Sequence, residues 1–194
     1  MIKWWQRTNR GIILLLVVLL SVSIYLVIDA VNTKKERKTL TDLSSQYVTE
    51  SSLLFTYPEE LDFWTKNAIL PENLFPALSA QADPIKHYFC DNEAVIEQEI
   101  EESYSFFKKY YESEHCPRVC TRTPYKIEIK ELYHDSATVY VYSRTNIEYS
   151  DLFGKRYSDE ADTMDTLFFL KLNGEWKLIN SDSAMNEYFG EEAY

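Results

Sequence analysis

The pattern of apolar and polar positions changes along the chain, and each change predicts a different kind of structure. Residues 11–28, GIILLLVVLLSVSIYLVI, form an uncharged apolar run. At about 1.5 Å per residue, a helix of this length crosses roughly the hydrocarbon core of a bilayer. Trp4 and Trp5 precede the run, and tryptophan suits the headgroup interface. We therefore expect a transmembrane helix over residues 11–28 that contacts the lipid bilayer.

The residues that flank this span bear on two questions: whether the segment is cleaved, and which way it crosses the membrane. A cleaved signal peptide is the alternative, but Ile28-Asp29-Ala30 has a bulky residue where a small one is required, which favours an uncleaved anchor. Basic residues lie on both sides, yet the three before the span have no acidic neighbour, whereas Asp29 follows it directly. We expect a single-pass protein of the cell membrane with the N-terminus inside and the C-terminal domain outside. The opposite topology would place that domain in the cytosol.

Helical spacing dominates the next part of the chain. An apolar face at residues 40, 43, 47 and 54 predicts a helix over residues 34–55 that continues from the span as a stalk. Prolines then begin two candidate short helices, PEELDFWTKN and PENLFPALSAQ. A long helix is predicted over 92–112, with an N-cap at Asp91-Asn92 and its glutamates on a solvated face. Its predicted buried stripe is Ile96, Ile100, Tyr104, Phe107 and Tyr111.

After this helix the period changes to two, which is typical of half-buried strands. Alternation predicts strands over residues 125–133 and 137–149, with a short turn at residues 134–136, and two more over 163–172 and 175–183. Asn173-Gly174 joins the last two, and this dipeptide is a strong hairpin signal because both central residues need positive φ. The polar stretch between the second and third strands is predicted to be a mobile contact loop.

These elements predict an α+β fold, in which an N-terminal transmembrane helix is followed by helices packed on a curved four-stranded antiparallel sheet. The final hairpin contains a distinctive set of residues: Phe168, Leu170, Lys171, Asn173, Gly174, Trp176, Lys177, Leu178 and Ile179. In these residues it resembles the final hairpin of the nuclear-transport-factor-two-like (SnoaL-like) cone domains, and another α+β fold, such as the cystatin-like one, is the alternative. The predicted organisation is a cytoplasmic tail (1–10), the span (11–28), a stalk and first helix (29–56), the cone-like domain (57–183) and a C-terminal tail (184–194).

The resemblance also bears on chemistry. It implies that Trp176 packs into the cone as a core plug. Enzymes of this superfamily usually carry an Asp–His or Tyr–Asp pair inside the cone, and Asp162, Asp165 and His134 are the remote candidates here. His134 and Asp135 are adjacent in a predicted turn rather than in the interior. We therefore predict no catalytic residue, and a hydrolase or isomerase is the least favoured interpretation.

Charge excludes one class of partner. The first 28 residues carry three basic side chains and no acidic one, so the 17 basic and 31 acidic side chains of the rest give it a net charge of −14. Such a surface repels polyanions, so we predict no nucleic-acid partner.

The cysteines and histidines are the residues that could form a disulfide or a metal site. Cys116 and Cys120 are a candidate disulfide across a predicted turn, HCPRVC, and free thiols are the alternative. Cys90 is predicted to be a small buried hydrophobe. The long helix separates its neighbourhood from that of Cys116 by roughly 30 Å, which argues against a single zinc site. We predict neither a metal nor another cofactor.

Tyrosines cluster on the long helix and the second strand, and tyrosine is enriched at protein interfaces. Together with the anchor and the absent catalytic pair, this predicts a non-catalytic, membrane-anchored extracytoplasmic domain that binds a protein partner. The resemblance implies the role of a scaffold or accessory subunit of an envelope, secretion or transport complex, because some anchored members of the superfamily resemble such subunits. The alternative is a domain that binds a small ligand or cell-wall fragment in the cone. The candidate partner-contact residues are Tyr104, Tyr111, Tyr140, Tyr142 and Tyr149.

Overall fold

A long N-terminal apolar helix is followed by shorter helices and a curved four-stranded antiparallel sheet, which confirms the predicted α+β class. The computed structural model describes residues 10–64, 71–90, 93–183 and 185. It separates the chain into two compact units, with the boundary between Thr39 and Leu40. The helices and strands in the described residues are α1 (Arg10–Ser51), α2 (Leu74–Gln81), α3 (Glu93–Glu112), β1 (His115–Leu132), β2 (Ser136–Asp151), β3 (Arg156–Leu172) and β4 (Glu175–Ser183).

The first unit contains the apolar part of α1. This helix is long and apolar enough to cross a membrane, and no side chain of its most apolar stretch is buried within the protein. Ser21 and Ser23 donate hydrogen bonds to the carbonyl oxygens of Val17 and Leu19, at 2.9 and 2.8 Å. The helix therefore satisfies its own hydroxyl groups, as an apolar solvent requires. As predicted, it continues beyond the apolar run, and a 3-10 helix at Ser52–Phe55 follows it.

The core of the second unit begins with the last turns of α1. Leu40, Tyr47 and Val48 are buried there. The Tyr47 ring meets the rings of Tyr88 and Phe89 edge to face, each at a centroid distance of 5.7 Å. Such aromatic pairs add about 0.5–1.5 kcal/mol to the effect of burial alone. They tie α1 to the segment that links α2 to α3.

The buried face of α3 differs from the predicted one. Ile100 and Phe107 are buried as expected, but Ile96, Tyr104 and Tyr111 are only half-buried. The most buried stripe is rotated by about one position. It comprises Glu99, Ile100, Ser103, Phe106, Phe107 and Tyr110.

The two proline-led segments have different structures. Residues 58–64 form turns and bends, so the helix predicted to start at Pro58 is wrong in the described part; residues 65–67 lie outside it. Phe63 is nevertheless buried, with its ring 4.8 Å from that of Tyr57. Aromatic packing of this loop thus replaces helical hydrogen bonding. The second segment does form a helix, α2, and the predicted N-cap of α3 at Asp91-Asn92 lies outside the described residues.

The sheet has the strand order β1-β2-β3-β4. β2 and β3 pair in continuous register from Ser136↔Leu170 to Ser150↔Arg156. The β1–β2 ladder, in contrast, has three irregularities, at Pro117/Val119, Pro124/Lys126 and Ile129/Glu131. Bulges bend a strand and increase its twist, which accounts for the curvature of the sheet.

The third strand is much longer than predicted. Residues 156–162, expected in a mobile loop, belong to β3, and the connection to β2 is a short turn containing Gly154 at φ +78°. Asp151 holds this turn, because its Oδ1 accepts hydrogen bonds from the backbone N–H groups of Phe153 and Lys155, each at 2.9 Å. The polar composition of these residues therefore led to a wrong prediction of a loop. They continue the hydrogen-bonded pairing of β3 with β2.

The last hairpin has the predicted bounds. Asn173 and Gly174 have φ values of 51° and 87°, as a tight turn between twisted strands requires. Trp176, on β4, is buried in the core, and its Lys171 neighbour across the turn lies 5.4 Å from its ring. Leu178 connects β4 to the segment before α3. It forms an isolated β-bridge with Phe89, and its carbonyl oxygen accepts a hydrogen bond from the Cys90 N–H at 3.1 Å.

Candidate functional site

An ion pair lies at the centre of the inner face of the sheet. Arg122 on β1 and Asp165 on β3 bond to each other through Nη2 and Oδ2, with both side chains 2% exposed. Burial alone would lower the pKa of Arg122, but the adjacent Asp165 carboxylate outweighs that effect and raises it. Arg122 also donates through Nη1 to Ser51 Oγ at 3.3 Å, which links the sheet to the end of α1.

This cluster has unused hydrogen-bonding capacity. Within the described part of the chain, Arg122 Nε, Asp165 Oδ1 and Ser143 Oγ are buried without a hydrogen-bond partner. Beside them, the hydroxyls of Thr145 and Thr163 bond to each other at 2.9 Å. Buried polar atoms cost free energy when unpaired, so a polar ligand that bonded to these atoms would be stabilised by them.

A second polar cluster joins α3 to β4 and α1. Ser181 Oγ donates to Glu99 Oε1, and Tyr47 Oη donates to Ser181 Oγ at 3.3 Å. Burial raises the pKa of Glu99 to about 7, although the bonds from Ser181 and Tyr47 act in the opposite direction. The prediction that the glutamates of α3 form a solvated face is therefore wrong for Glu99, which is 5% exposed.

The outer face of the sheet is solvent-accessible and combines tyrosines with lysines. Tyr140 and Tyr142 are half-buried there, and the ammonium groups of Lys130 and Lys126 lie 5.0 and 4.8 Å from their ring centroids. Glu128 bonds to both lysines, and these two hydrogen bonds lower the pKa of Glu128 to about 2. We call these five residues the tyrosine–lysine patch.

Two neighbours extend the patch across β3. The register places Met164 beside Tyr142 and Thr166 beside Tyr140. Met164 is 39% exposed. The aromatic rings, the methionine and the aliphatic stems of the lysines therefore form a continuous surface of mixed character, as protein interfaces commonly do.

The five candidate partner-contact tyrosines do not lie on one surface. Tyr104 packs near Phe75, and Tyr111 lies against Phe63, at centroid distances of 6.4 and 5.2 Å. Tyr149 stacks on Tyr157 at 5.4 Å, near one end of β2. The structure brings only Tyr140 and Tyr142 together on the outer face of the sheet.

Of the two alternatives for Cys116 and Cys120, a disulfide or free thiols, the structure has the free thiols. Cys116 and Cys120 have free thiols, and both lie in β1, where a turn was predicted. Four residues of extended chain separate Cα atoms by on the order of 10–13 Å, beyond the roughly 7 Å that a disulfide permits. Burial raises the pKa of each thiol to about 12, so neither is a ready nucleophile. Cys90, expected to be buried, is of intermediate exposure.

The remote acid–base candidates are also separated. His134 is exposed at the β1–β2 turn, Asp162 is exposed on the outer face, and Asp165 is buried on the inner face. Among the described residues, no group of three or more histidine, cysteine or acidic side chains is placed to hold a metal ion.

Sequence reasoning missed Arg122 and Glu99, and underrated Asp165. The signal for Asp165 was present, because it alternates with Thr163, Leu167 and Phe169 on one face of β3. Glu99 lies one helical turn before Ser103, on the stripe that continues to Phe106 and Tyr110. Arg122 lies in the irregular first half of β1, where no regular alternation identifies it.

No protein-family model and no curated protein matches the chain. Among solved structures, the chain is similar to the intermembrane space region of the chloroplast protein ARC6, with 12% identity over 75% of this chain and 94% of that one, at a TM-score of 0.39. A putative calcium/calmodulin dependent protein kinase II association domain from Xanthomonas campestris is 20% identical, covering 45% of this chain and 54% of that one, at a TM-score of 0.25. At these TM-scores, neither likeness supports an inference about function.

Proposed function

We propose that this chain is a non-catalytic, single-pass membrane protein whose second unit binds a protein partner outside the cytoplasm, as a scaffold or accessory subunit of an envelope, secretion or transport complex. In this proposal residues 1–10 are a cytoplasmic tail, residues 11–28 span the cell membrane, residues 29–56 form a stalk and first helix, and residues 57–183 are a nuclear-transport-factor-two-like cone domain. Residues 184–194 are a C-terminal tail.

The tyrosine–lysine patch carries the proposal. It places two tyrosine rings, held by cation–π contacts, on an accessible face of a rigid sheet. A rigid aromatic surface loses little conformational entropy on binding, which suits it to a protein contact. The apolar first part of α1 supports the membrane anchor.

The partner is tested by site-specific photo-crosslinking in the native host. A photoreactive phenylalanine analogue at position 142 should give a discrete adduct, whereas the same analogue at Tyr133, which is 62% exposed near the β1–β2 turn, should not. Tyr142→Ala should remove the partner from the purified complex, and Tyr133→Ala should retain it. Equal adducts at both positions, or none at position 142, would contradict the proposal.

The orientation is tested separately. A periplasmic-type phosphatase fused after residue 194 should be active only if the second unit is outside, and a cytoplasmic fluorescent reporter fused there should then be dark. The reversed pattern would place the domain in the cytosol.

One observation favours a second candidate, a small-ligand site in the interior. The unpartnered Arg122 Nε and Asp165 Oδ1 could bind a ligand that both donates and accepts hydrogen bonds, such as a cell-wall fragment. Native mass spectrometry of the chain purified from its host in mild detergent tests this. A bound mass that is lost in the double variant Arg122→Met/Asp165→Leu, but kept in Asp162→Ala, would support it.

A further inference from the structure

β3 is much longer than its neighbour β4, and this leaves part of one edge unpaired. β4 pairs with β3 only between Asp165↔Ser183 and Leu172↔Glu175. Residues 156–164 pair with β2 on their other side. On the side away from β2, no strand and no backbone hydrogen bond reaches them from any described residue. We call residues 156–164 the open edge.

An unpaired edge offers backbone groups to another strand. In an extended strand, alternate residues direct their N–H and C=O groups to each side, so about four residues of the open edge present both groups away from β2. Side chains along the open edge are accessible as well, since residues 158, 160, 162 and 164 are exposed. The open edge is therefore long enough to pair with a typical strand.

The opposite edge of the sheet is protected by two devices that the open edge lacks. β1 contains Pro117 and Pro124, and its ladder has three irregularities. Prolines and bulges both prevent a further strand from pairing. Residues 156–164 contain no proline and stay in continuous register with β2.

The charge of the open edge selects its partner. Asp159, Glu160 and Asp162 give it an acidic surface, with Arg156 its only basic residue. Arg144 of β2 lies 3.1 Å from Glu160 and 3.5 Å from Asp162, so one guanidinium faces two carboxylates. The local charge thus remains negative, and it attracts a basic strand.

The same charge disfavours the two alternative strands. A second copy of this edge would place carboxylates opposite carboxylates, which is destabilising. The chain's own sequence after Ser183 contains Glu187, Glu191 and Glu192 and no basic residue. A basic strand of another protein, by contrast, carries the charge that this edge attracts.

We propose that the open edge at residues 156–164 is a strand-addition site, which pairs its backbone with an extended, basic segment of a partner protein in line with β4. This site adjoins the tyrosine–lysine patch at Met164, but it uses the backbone edge of β3 and not the aromatic face of the sheet. It therefore extends the proposed function to a second surface, and the two can be tested apart.

The first test uses synthetic peptides and the full-length protein in nanodiscs of zwitterionic lipid. The probe is a fluorescein-labelled peptide of alternating lysine and valine, long enough to span the open edge. It should bind, and it should slow amide hydrogen exchange at residues 156–164. Two controls, a glutamate–valine peptide and the lysine–valine peptide N-methylated at alternate residues, should bind at least about tenfold more weakly, and empty nanodiscs should bind none of them above background.

The N-methylated control decides between strand pairing and simple charge attraction. This peptide has the same charge as the probe, but its methylated backbone nitrogens cannot donate the hydrogen bonds of strand pairing. If it binds as tightly as the probe, or if exchange slows elsewhere in the sheet instead of at the open edge, the proposal is overturned.

Matched variants test the charge. Asp159→Lys should weaken binding of the probe by about fivefold, as expected for reversing one accessible charge. Glu131→Lys makes the same change on the proline-containing edge strand β1 and should alter binding less than about twofold. Tyr142→Ala should leave it unchanged, even if that variant loses the partner of the patch. Equal effects of Asp159→Lys and Glu131→Lys would contradict a site at the open edge.

Discussion

Two Arg–Asp pairs lie on opposite sides of β3, three positions apart in its sequence, and their surroundings differ completely. Arg122–Asp165 lies on the inner face with both side chains 2% exposed. Arg144–Asp162 lies on the outer face with side chains 62% and 57% exposed. The residue types are the same, so the comparison isolates burial: the inner pair cannot lose one partner without leaving an unsolvated charge, whereas water replaces either partner of the outer pair.

The largest expected effect comes from breaking the inner pair. Asp165→Ala should destabilise the second unit by about 3–5 kcal/mol, because Arg122 then remains charged and buried. Denaturant unfolding in detergent, followed by tyrosine and tryptophan fluorescence, measures the change. Asp162→Ala removes the same group from the other face of the same strand and should leave the midpoint nearly unchanged. A similar loss in both variants would refute the role assigned to burial.

The double variant Arg122→Met/Asp165→Leu sharpens this result. It removes both charges and keeps an apolar volume, so it should recover most of the stability lost in Asp165→Ala. Continued instability would show that shape or hydrogen bonding to Ser51, rather than charge, makes the pair necessary.

The next effect concerns a second buried carboxyl group, Glu99, and depends on pH. The folded pKa of about 7 lies above the ordinary 4.5, so the unfolded chain releases its proton first as pH rises. The stability associated with protonated Glu99 is therefore complete below about pH 4.5 and is lost as pH rises through 7, a loss of roughly 3 kcal/mol. Tyr47 from α1, Ser181 from β4, Arg122 from β1 and neighbouring Glu102 face this group and set the midpoint.

Glu99→Gln tests this by imitating the protonated carboxyl group at every pH. Unfolding free energies measured between pH 5 and 8 should decline in the parent protein, and the decline should be largely absent in the variant. Glu101→Gln changes an exposed glutamate of the same helix and should keep the parental pH dependence. If Glu99→Gln keeps it too, Glu99 is not the group responsible.

The outer Arg–Asp pair should have a smaller effect that salt removes. Arg144→Ala should cost at most about 1 kcal/mol at low ionic strength. At about 1 M salt, where the Debye length is near 3 Å, the difference from the parent should fall within error. A loss that persists at high salt would mean that the pair contributes through packing or desolvation.

The smallest stability effect is expected at Glu128 in the tyrosine–lysine patch. Its pKa of about 2 results from two accessible lysines, and solvent screens that interaction. Glu128→Ala should leave the unfolding midpoint unchanged within error. A measurable loss of stability would show that the patch is a structural element, and not only an accessible surface.

The strands show what alternation can and cannot predict. β4 has the predicted bounds because it lies between a strong turn signal and the end of the apolar alternation. β3 was predicted too short because four of the six residues from Tyr157 to Asp162 are polar and interrupt the apolar alternation. Pairing with β2 nevertheless satisfies the backbone groups of this stretch, whatever its side-chain polarity. The Cys116–Cys120 candidate depended on a turn that Pro117 indicated, but the sheet accommodates this proline at an irregularity of its edge strand.

The interior site was less accessible to sequence reasoning than the fold. Asp165 was named only as a remote catalytic candidate, and its partner Arg122 lies 43 positions away, on a strand that is not its sheet neighbour. No local pattern relates two such residues. Glu99 appeared equivalent to the other glutamates of α3. A helical wheel shows the side of the helix on which a residue lies, but not whether another element packs against that side.

The amino-acid sequence by itself determined the apolar helix, the order of helices before strands, and the Asn173-Gly174 turn. Each depends on short-range properties: hydropathy over a continuous run, a 3.6- or 2-residue period, and the φ angles a residue tolerates. Only the tertiary structure decided which carboxylates are buried, which tyrosines share a surface and which part of β3 the other described strands leave unpaired. These depend on contacts between distant segments, where the same Arg–Asp chemistry becomes essential on one face of a strand and dispensable on the other.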